Sequence, residues 1–338
     1  KCLIVDDLEI IVDQIEQNKI KGKPNTELLS DQNTSSKSHF FSNSKRNIKF
    51  ENFDEGSMSL QLQKTSSDTY LKKYSIQSPL MMNNNLLTSK FGIQAYRPDL
   101  RLNTEFTVYE DLSKTKDNDK FEFIYPSYDL TKDLSINSNS AGNLSLSSNG
   151  YMKNYNTNIF EKVIINDLLF SSFPKFTRNG LKNNYNVIIK NVNTNGENSE
   201  KYKESSSTKF SSLMEFNTSY PLKKKTTDYT NILKPTISVR YSPNNTRNLK
   251  DNDRRIDVNS VFGLNRIGSN DDLEGGGSLS LGTEFTKTDL FNRDVFNAKI
   301  ANVLRLKENK NLPSNSSLGK KTSDLMGSIN YDPNKFFK

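Results

Sequence analysis

Residues 279–306 read LSLGTEFTKTDLFNRDVFNAKIANVLRL, and apolar side chains recur there at every second position. In the first half, Leu279, Leu281 and Phe285 fall on one side of this alternation and Glu284 on the other. Successive side chains of a β-strand point to opposite faces, so a period of two predicts strands with one apolar and one polar face. A second strand of the same kind follows within the same stretch.

The same alternation continues outward through most of the chain. It recurs at 58–63, 100–108, 185–189, 237–241 and 325–331. Segments rich in turn-forming Asn, Asp, Ser and Gly separate the strands, at 114–119, 137–143, 193–207, 244–253, 265–272 and 308–317. Short turns on one side and long loops on the other are typical of an outer-membrane barrel. The pattern predicts an all-β, antiparallel transmembrane β-barrel with long polar extracellular loops, present here as a partial, open curved sheet.

The first residues follow a different period. Apolar residues three and four positions apart over 1–20 predict a helix, and the polar stretch 21–37, which contains Pro24, predicts a linker. We therefore divide the chain into an N-terminal segment, 1–37, of unclear relation to the rest, and 38–338, part of the barrel domain. The chain does not start with Met and shows no signal peptide, so we expect a fragment.

The composition excludes two common classes of protein. Hydrophobic residues make up 33% of the 338 residues, against about 45–50% in ordinary globular domains, which argues against a soluble enzyme with a thick core. No run approaches the ~18 apolar residues of a transmembrane helix. A barrel needs only a thin lipid-facing apolar band around a polar interior, which fits the low fraction. Aromatic residues near strand ends suit interfacial girdles, or are ordinary strand aromatics: Phe121, Tyr125, Tyr151, Tyr220, Tyr241 and Tyr331.

Little in the sequence points to catalysis. The single Cys2 excludes an internal disulfide framework, and the single His39, in a polar stretch, argues against histidine catalysis and zinc sites. The paired carboxylates Asp271 and Asp272 lie in an Asn-rich segment and are expected to be turn residues. The triple glycine 275–277 lacks a phosphate-loop ending and predicts a bulge or tight bend. The net charge of +8 is dispersed along the chain, so we expect no nucleic-acid binding. From the residues above, we also expect no enzyme activity, cofactor or metal site.

One segment carries a family resemblance. Residues 257–282 read DVNSVFGLNRIGSNDDLEGGGSLSLG, which closely resembles a signature of LptD, the LPS-assembly protein family of the outer membrane. Eight residues fall on its fixed positions: Asp257, Phe262, Asn265, Arg266, Asp272, Glu274, Gly275 and Gly282. Upstream, 68–74 looks like an early barrel strand of the family, and the resemblance covers about 40–338. The chain departs at Leu273, where the family has Arg. It also lacks counterparts of the family's inter-domain cysteines, which leaves disulfide-controlled maturation open.

The resemblance implies transport in the outer membrane of a Gram-negative bacterium. The barrel would translocate lipopolysaccharide and insert it into the outer leaflet through a gap between its first and last strands, which we expect to be incomplete in this chain. The implied partners are lipopolysaccharide, outer-membrane lipid, a lipoprotein plug of the LptE type inside the lumen, and periplasmic lipopolysaccharide-bridge proteins that bind a missing N-terminal domain.

Two groups of residues are candidates for the site. The signature-loop residues either contact lipopolysaccharide or the plug, or form a structural turn network: Asp257, Asn265, Arg266, Asp272, Glu274 and Gly275. Arg240 and Arg305 oppose apolar strand faces and are expected to point into the lumen. There they would meet lipid A phosphates or sugar acids, or form lumen salt bridges.

Two other functions stay open from the sequence. The chain could be another outer-membrane barrel, a porin or a receptor, or a secreted β-rich adhesin. A barrel wall of either kind requires the apolar residues of neighbouring strands to align in one outward band, whereas the adhesin does not.

Overall fold

The structure, a computed structural model, describes residues 11–13, 38–81, 83–134, 141–156 and 158–332. It is nearly all antiparallel β-sheet, with 59% strand and 3% helix, which confirms the predicted all-β class. No helix among these residues is long and apolar enough to cross a membrane.

The strands, in chain order, are β1 Ile11–Asp13, β2 His39–Asn47, β3 Glu55–Thr65, β4 Leu86–Arg97, β5 Leu100–Asp111, β6 Phe121–Leu134, β7 Gly142–Tyr155, β8 Ile159–Ser172, β9 Lys175–Phe176, β10 Lys182–Glu197, β11 Ser207–Ser219, β12 Leu222–Lys225, β13 Tyr229–Ser242, β14 Gly276–Asp289, β15 Asp294–Arg305 and β16 Met326–Tyr331. Two short helices, α1 Tyr70–Lys73 and α2 Asp117–Lys120, and a 3-10 turn, Ser317–Gly319, complete the elements. The alternating segments quoted above lie in strands, except for the turn 290–293 and the end residues Leu306 and Leu325.

The strands pair in a linear order that follows the chain. The path runs from β1 to β8 and continues through β10, β11 and β13 to β16, while the short β9 and β12 pair with β10 and β13. The sheet is therefore open along this path, as expected for part of a barrel. The links differ in length: residues 98–99 join β4 to β5, whereas 243–275 join β13 to β14 and 306–325 join β15 to β16.

The chain divides into two compact units. The first comprises 1–132, 147–164 and 193–207, and the second comprises 133–146, 165–192 and 208–338. In the first unit, α1 packs into a small apolar cluster around Phe41, Tyr70, Leu71, Ile76, Leu87 and Leu112. The second unit contains the whole signature segment.

In the second unit, the strand register aligns apolar residues on one face. Leu279 of β14 lies directly opposite Val239 of β13 and Leu304 of β15. Two residues further along, Leu281 lies opposite Ile237. Apart from the half-buried Leu279, these side chains are open to the surroundings, with Val239 49% exposed. The outward apolar alignment required of a barrel wall is therefore confirmed for these strands.

The opposite face of the same strands is mainly polar, apart from Ala301 and Val303 of β15, and much of it is buried. Its buried polar residues alternate along each strand with the exposed apolar ones. These buried polar residues are Ser238, Arg240, Ser242, Ser278, Ser280 and Arg305. They are covered by residues 243–275, which we call the loop cap. This distribution reverses that of a soluble sandwich, in which apolar faces meet in the core. It matches a wall with lipid on one side and a polar interior on the other.

Two local predictions were wrong. Residues 11–13 form strand β1, paired antiparallel with β2, and not part of a helix; the rest of 1–37 lies outside the described residues, and the domain boundary there stays a prediction. Within 68–74, the predicted strand is instead helix α1. Local hydrogen bonds such as Lys73 N to Thr69 O, 2.9 Å, close its turn, and burial of Tyr70 and Leu71 holds it in place.

Some predicted loop boundaries also shift. Strand β10 continues to Glu197, so the loop expected from 193 starts later, and α2 lies at the end of the loop expected over 114–119. Part of the loop expected over 137–143 lies outside the described residues. His39, expected in a polar stretch, is buried against the rings of Phe41 and Tyr70.

Candidate functional site

The loop cap begins its central turn at a carboxylate. Asp257 accepts hydrogen bonds from the backbone N–H groups of Asn259 and Ser260, both at 2.8 Å. The hydrogen bonds from Ser260, followed by those of its neighbours, outweigh burial and lower the pKa of Asp257. The predicted turn role of this signature residue therefore has a geometric basis, because a short acidic side chain can bond to the backbone two residues on.

Glycines allow close backbone approach at the wall and within the loop cap. A Cβ on Gly282 would lie 2.9 Å from the ring of Phe262 and 2.8 Å from the carbonyl oxygen of Ile300. A Cβ on Gly275 would overlap the carbonyl oxygen of Asn244. Both positions therefore need the bare glycine backbone, which explains two fixed positions of the signature.

The centre of the site is a fully buried pair. Arg266 donates to both carboxylate oxygens of Glu274, from Nε at 2.5 Å and from Nη2 at 2.7 Å. Its remaining donors reach the wall at Ser280 Oγ, 2.9 Å, and Ser278 Oγ, 2.6 Å. The bidentate geometry fixes the guanidinium, and the serines fasten the loop cap to β14.

The two arginines predicted to face the lumen lie on the polar face and are used by this loop. Arg305 donates to Glu274 and to the carbonyl oxygen of Gly275, the latter at 2.5 Å. Arg240 donates to the carbonyl oxygens of residues 263 and 264, at 2.5 and 2.6 Å, and to Glu215 at 3.2 Å. Both are almost wholly buried, so the safer expectation, internal salt bridges, describes their contacts.

The electrostatics of Glu274 show how strongly the group is held. Burial by itself would raise the pKa of this carboxyl. The charge of Arg266 and its hydrogen bonds, with the charges of Arg240 and Arg305, outweigh burial and lower the pKa to about 2. Glu274 is therefore ionised at any physiological pH, and the pair acts as a permanent anchor.

A second anchor lies at the paired aspartates. Asp272 accepts from Lys209 Nζ at 2.6 Å and from the backbone N–H of Arg247. Arg247 in turn holds Asp271 with two bonds of 2.9 Å. The carboxylates are thus salt-bridged to cations from elsewhere in the chain, a more specific role than the solvated turn residues expected. No group of three or more possible ligands able to hold a metal is found among the described residues.

The departure from the family signature is accommodated by packing. Leu273, which replaces the family's Arg, is buried in an apolar cluster with Ile188 and Leu213. Beside it, Asn265 donates to the carbonyl oxygen of Ser269 at 2.9 Å, within the loop cap itself.

The long loop 306–325 packs over the loop cap. Leu249 donates its backbone N–H to Asn311 at 2.7 Å, and Thr246 accepts from Asn309 at 2.8 Å. Below these bonds lies an apolar cluster shared by both loops and β15: Leu249, Val258, Val261, Ile267, Ala301, Val303, Leu312 and Leu318. The two loops therefore form one packed layer on the polar face of the wall.

The predicted site residues lie in this layer or, as Arg240 and Arg305 do, contact it from the wall. Among the described residues, the side chain of Asp257 bonds only within its own turn. Sequence reasoning missed their partners Glu215, Lys209 and Arg247. Each is separated from its partner by more than twenty residues, and a lone charged residue in a strand or loop carries no pattern that identifies its partner. Contact of the signature residues with lipopolysaccharide or a plug stays a prediction.

A comparison with protein families matches residues 36–338 to LptD, described as LPS transport system D. This is the family that segment 257–282 resembles, and the resemblance is confirmed. Among curated proteins, no match to the chain is found. Because the family match extends over most of the sequence, the chain belongs to the LptD family of lipopolysaccharide transport proteins.

Proposed function

We propose that this chain forms part of the outer-membrane barrel wall through which lipopolysaccharide is translocated and inserted into the outer leaflet. The observation that carries the proposal is the reversed polarity of β13 to β15. Their apolar side chains are exposed in register, and their polar side chains lie under the loop cap. An exposed apolar face of this kind needs lipid to cover it.

The division of faces suits an amphipathic cargo. The sugar part of lipopolysaccharide would pass along the polar inner face, and its acyl chains would leave through a seam between strands. Strand pairs held by weak pairing can part without unfolding the rest of a wall. Periplasmic bridge proteins would deliver the substrate, and a lipoprotein plug of the LptE type would occupy the interior.

The loop cap has a defined part in this proposal. Its anchors at Glu274 and Asp272 fix it against the wall, so it acts as a permanent lining and not as a mobile lid. Arg240 and Arg305 already use their donors in bonds to the loop cap. The passing substrate would therefore meet other inner-face groups.

Depletion of the full-length protein tests this function. We expect surface lipopolysaccharide to fall when the protein is depleted, and to return when the wild-type gene is supplied. Surface lipopolysaccharide that stays constant, with loss of small-solute uptake in its place, would reject translocation and favour a porin.

A further inference from the structure

A row of charges crosses the inner face just beyond the loop cap. Lys234 of β13 lies directly opposite Glu284 of β14, which lies directly opposite Lys299 of β15. The three side chains share the polar face because they alternate with the exposed apolar residues of the same strands. None of them takes part in the anchors described above.

The contacts within this row are loose. Lys234 Nζ is 3.3 Å from one oxygen of Glu284, and Lys299 Nζ is 3.5 Å from the other. The carboxylate of Glu284 therefore lies between two ammonium groups, one on each side. The side chains stay partly open, with Lys234 45% exposed, in contrast to the buried arginines of the anchors.

The loop cap turns this row into a cavity. Lys299 also donates to Asn259 Oδ1 of the central turn, at 3.1 Å. A cavity of about 300 Å³ lies between the turn and the wall, at the lower end of the range for ligand pockets. Its lining includes Lys234, Thr236, Asn259, Phe262, Glu284 and Lys299.

The charge of this cavity favours an anion. Two ammonium groups and one carboxylate leave a net charge of +1. An ammonium has three N–H donors, and the hydrogen bonds to Glu284 and Asn259 use one on Lys234 and one on Lys299. A phosphate monoester carries about −1.5 to −2 charges and three acceptor oxygens, enough to bridge both lysines in competition with a single carboxylate.

We propose that Lys234 and Lys299, held apart by Glu284 beneath the turn of the loop cap, form a binding subsite for a phosphate group carried on the glycolipid. This inference rests on the proposed function and assigns it a contact point on the wall. The apolar ring of Phe262 borders the cavity and would limit the approach of water to the bound anion.

The test places a photo-crosslinking amino acid at Thr236 of the full-length protein in cells. We expect a crosslink to lipopolysaccharide that falls at least about tenfold in the K234Q/K299Q variant, since each of the two charge-assisted contacts that it removes is worth about that factor. K234R/K299R should retain it. K287Q is the control, because Lys287 of β14 lies opposite Phe296 of β15, on the apolar face of the sheet between the strands of the two lysines. Heat-modifiable gel mobility checks that each variant assembles.

The outcomes separate the two proposals. If depletion lowers surface lipopolysaccharide but assembled K234Q/K299Q crosslinks as well as wild type, the subsite is refuted while translocation stands. With the purified full-length protein in detergent, inorganic phosphate should reduce the crosslink and acetate of equal ionic strength should not. Competition by acetate alone would overturn the phosphate assignment.

Discussion

Replacing Glu274 by glutamine removes the carboxylate that Arg266 and Arg305 share, and we expect the loop cap to detach from the wall. Both guanidiniums are buried, and they keep only neutral partners such as Ser278 and Ser280. Removing one partner of a buried ion pair costs about 3–5 kcal/mol, because the remaining charge is left uncompensated. The free energy of cap closure should fall by this amount.

The pKa of Glu274 gives an independent figure. A value of about 2 against an ordinary 4.5 corresponds to about 3 kcal/mol. A carboxyl whose pKa is lowered on folding stabilises the folded state fully above its ordinary pKa, and that contribution is lost as pH falls through the folded value. The wild-type cap should therefore loosen between about pH 4.5 and pH 2, and Glu274→Gln should lack this transition.

Thiol labelling measures cap opening directly. In a Cys2→Ser background, a cysteine at Val261, a fully buried residue of the cap that packs against β15, reacts only when the cap opens. A loss of about 3 kcal/mol should raise the labelling rate about a hundredfold. Asp251→Asn, an exposed carboxylate change in the same loop, is the control and should leave the rate unchanged. Equal rates in the Glu274 and Asp251 variants would refute the anchor.

A second substitution separates lost charge compensation from lost packing. Adding Arg305→Met to Glu274→Gln removes one of the uncompensated charges, so labelling should slow relative to the single variant. If the double variant opens further by the sum of both effects, the buried charges do not act as a unit.

Three further substitutions test other parts of the argument. Gly275→Ala should raise thiol labelling by a similar factor, because its Cβ would overlap the carbonyl of Asn244; a rate equal to wild type would contradict this packing. Val239→Arg, on the exposed apolar face, should reduce barrel stability in detergent–urea titrations by about 2–4 kcal/mol. Leu290→Arg, in the turn after β14 and more open than Val239, should change it little; equal losses would argue against a lipid face. Leu273→Arg should destabilise the cap by burying a charge, and a gain in stability would show that the family's Arg is accommodated.

Much of the fold could be predicted from the period of the apolar residues. Segment 279–306 forms β14 and β15 with the predicted faces, because a wall between lipid and a polar interior must alternate at every residue. The prediction failed at 68–74, where two adjacent residues, Tyr70 and Leu71, are both buried by α1. A short helical turn packed on a sheet has too few residues to show a period of its own.

The location of the site could be predicted from the sequence, but the ion pairs that attach the loop cap to the wall could not. The signature marks Arg266 and Glu274 without saying that they bind each other. The alternation puts Arg240 and Arg305 opposite the apolar strand faces without identifying their partners. The salt bridge of Lys209 to Asp272 joins residues 63 positions apart. Such pairs depend on how β11 and the loop cap are brought together, which no local pattern encodes.

The use of ion pairs as anchors follows from what the wall requires. A soluble core would attach this loop with apolar side chains. If the inner face passes sugars, as we propose, it must stay largely polar, and the wall offers mainly serines and arginines. A buried ion pair contributes little net stability over an apolar contact, yet it demands one arrangement, because any displaced position leaves Arg266 or Glu274 unpaired in a dry environment. Apolar packing of Val261 and Ile267 stabilises the contact between the loop cap and the wall, and the ion pairs fix its exact position. The fixed position of the loop cap places Asn259 where it accepts a hydrogen bond from Lys299. The ion pairs that occupy Arg240 and Arg305 therefore also position the row of lysines that we propose binds an anionic group.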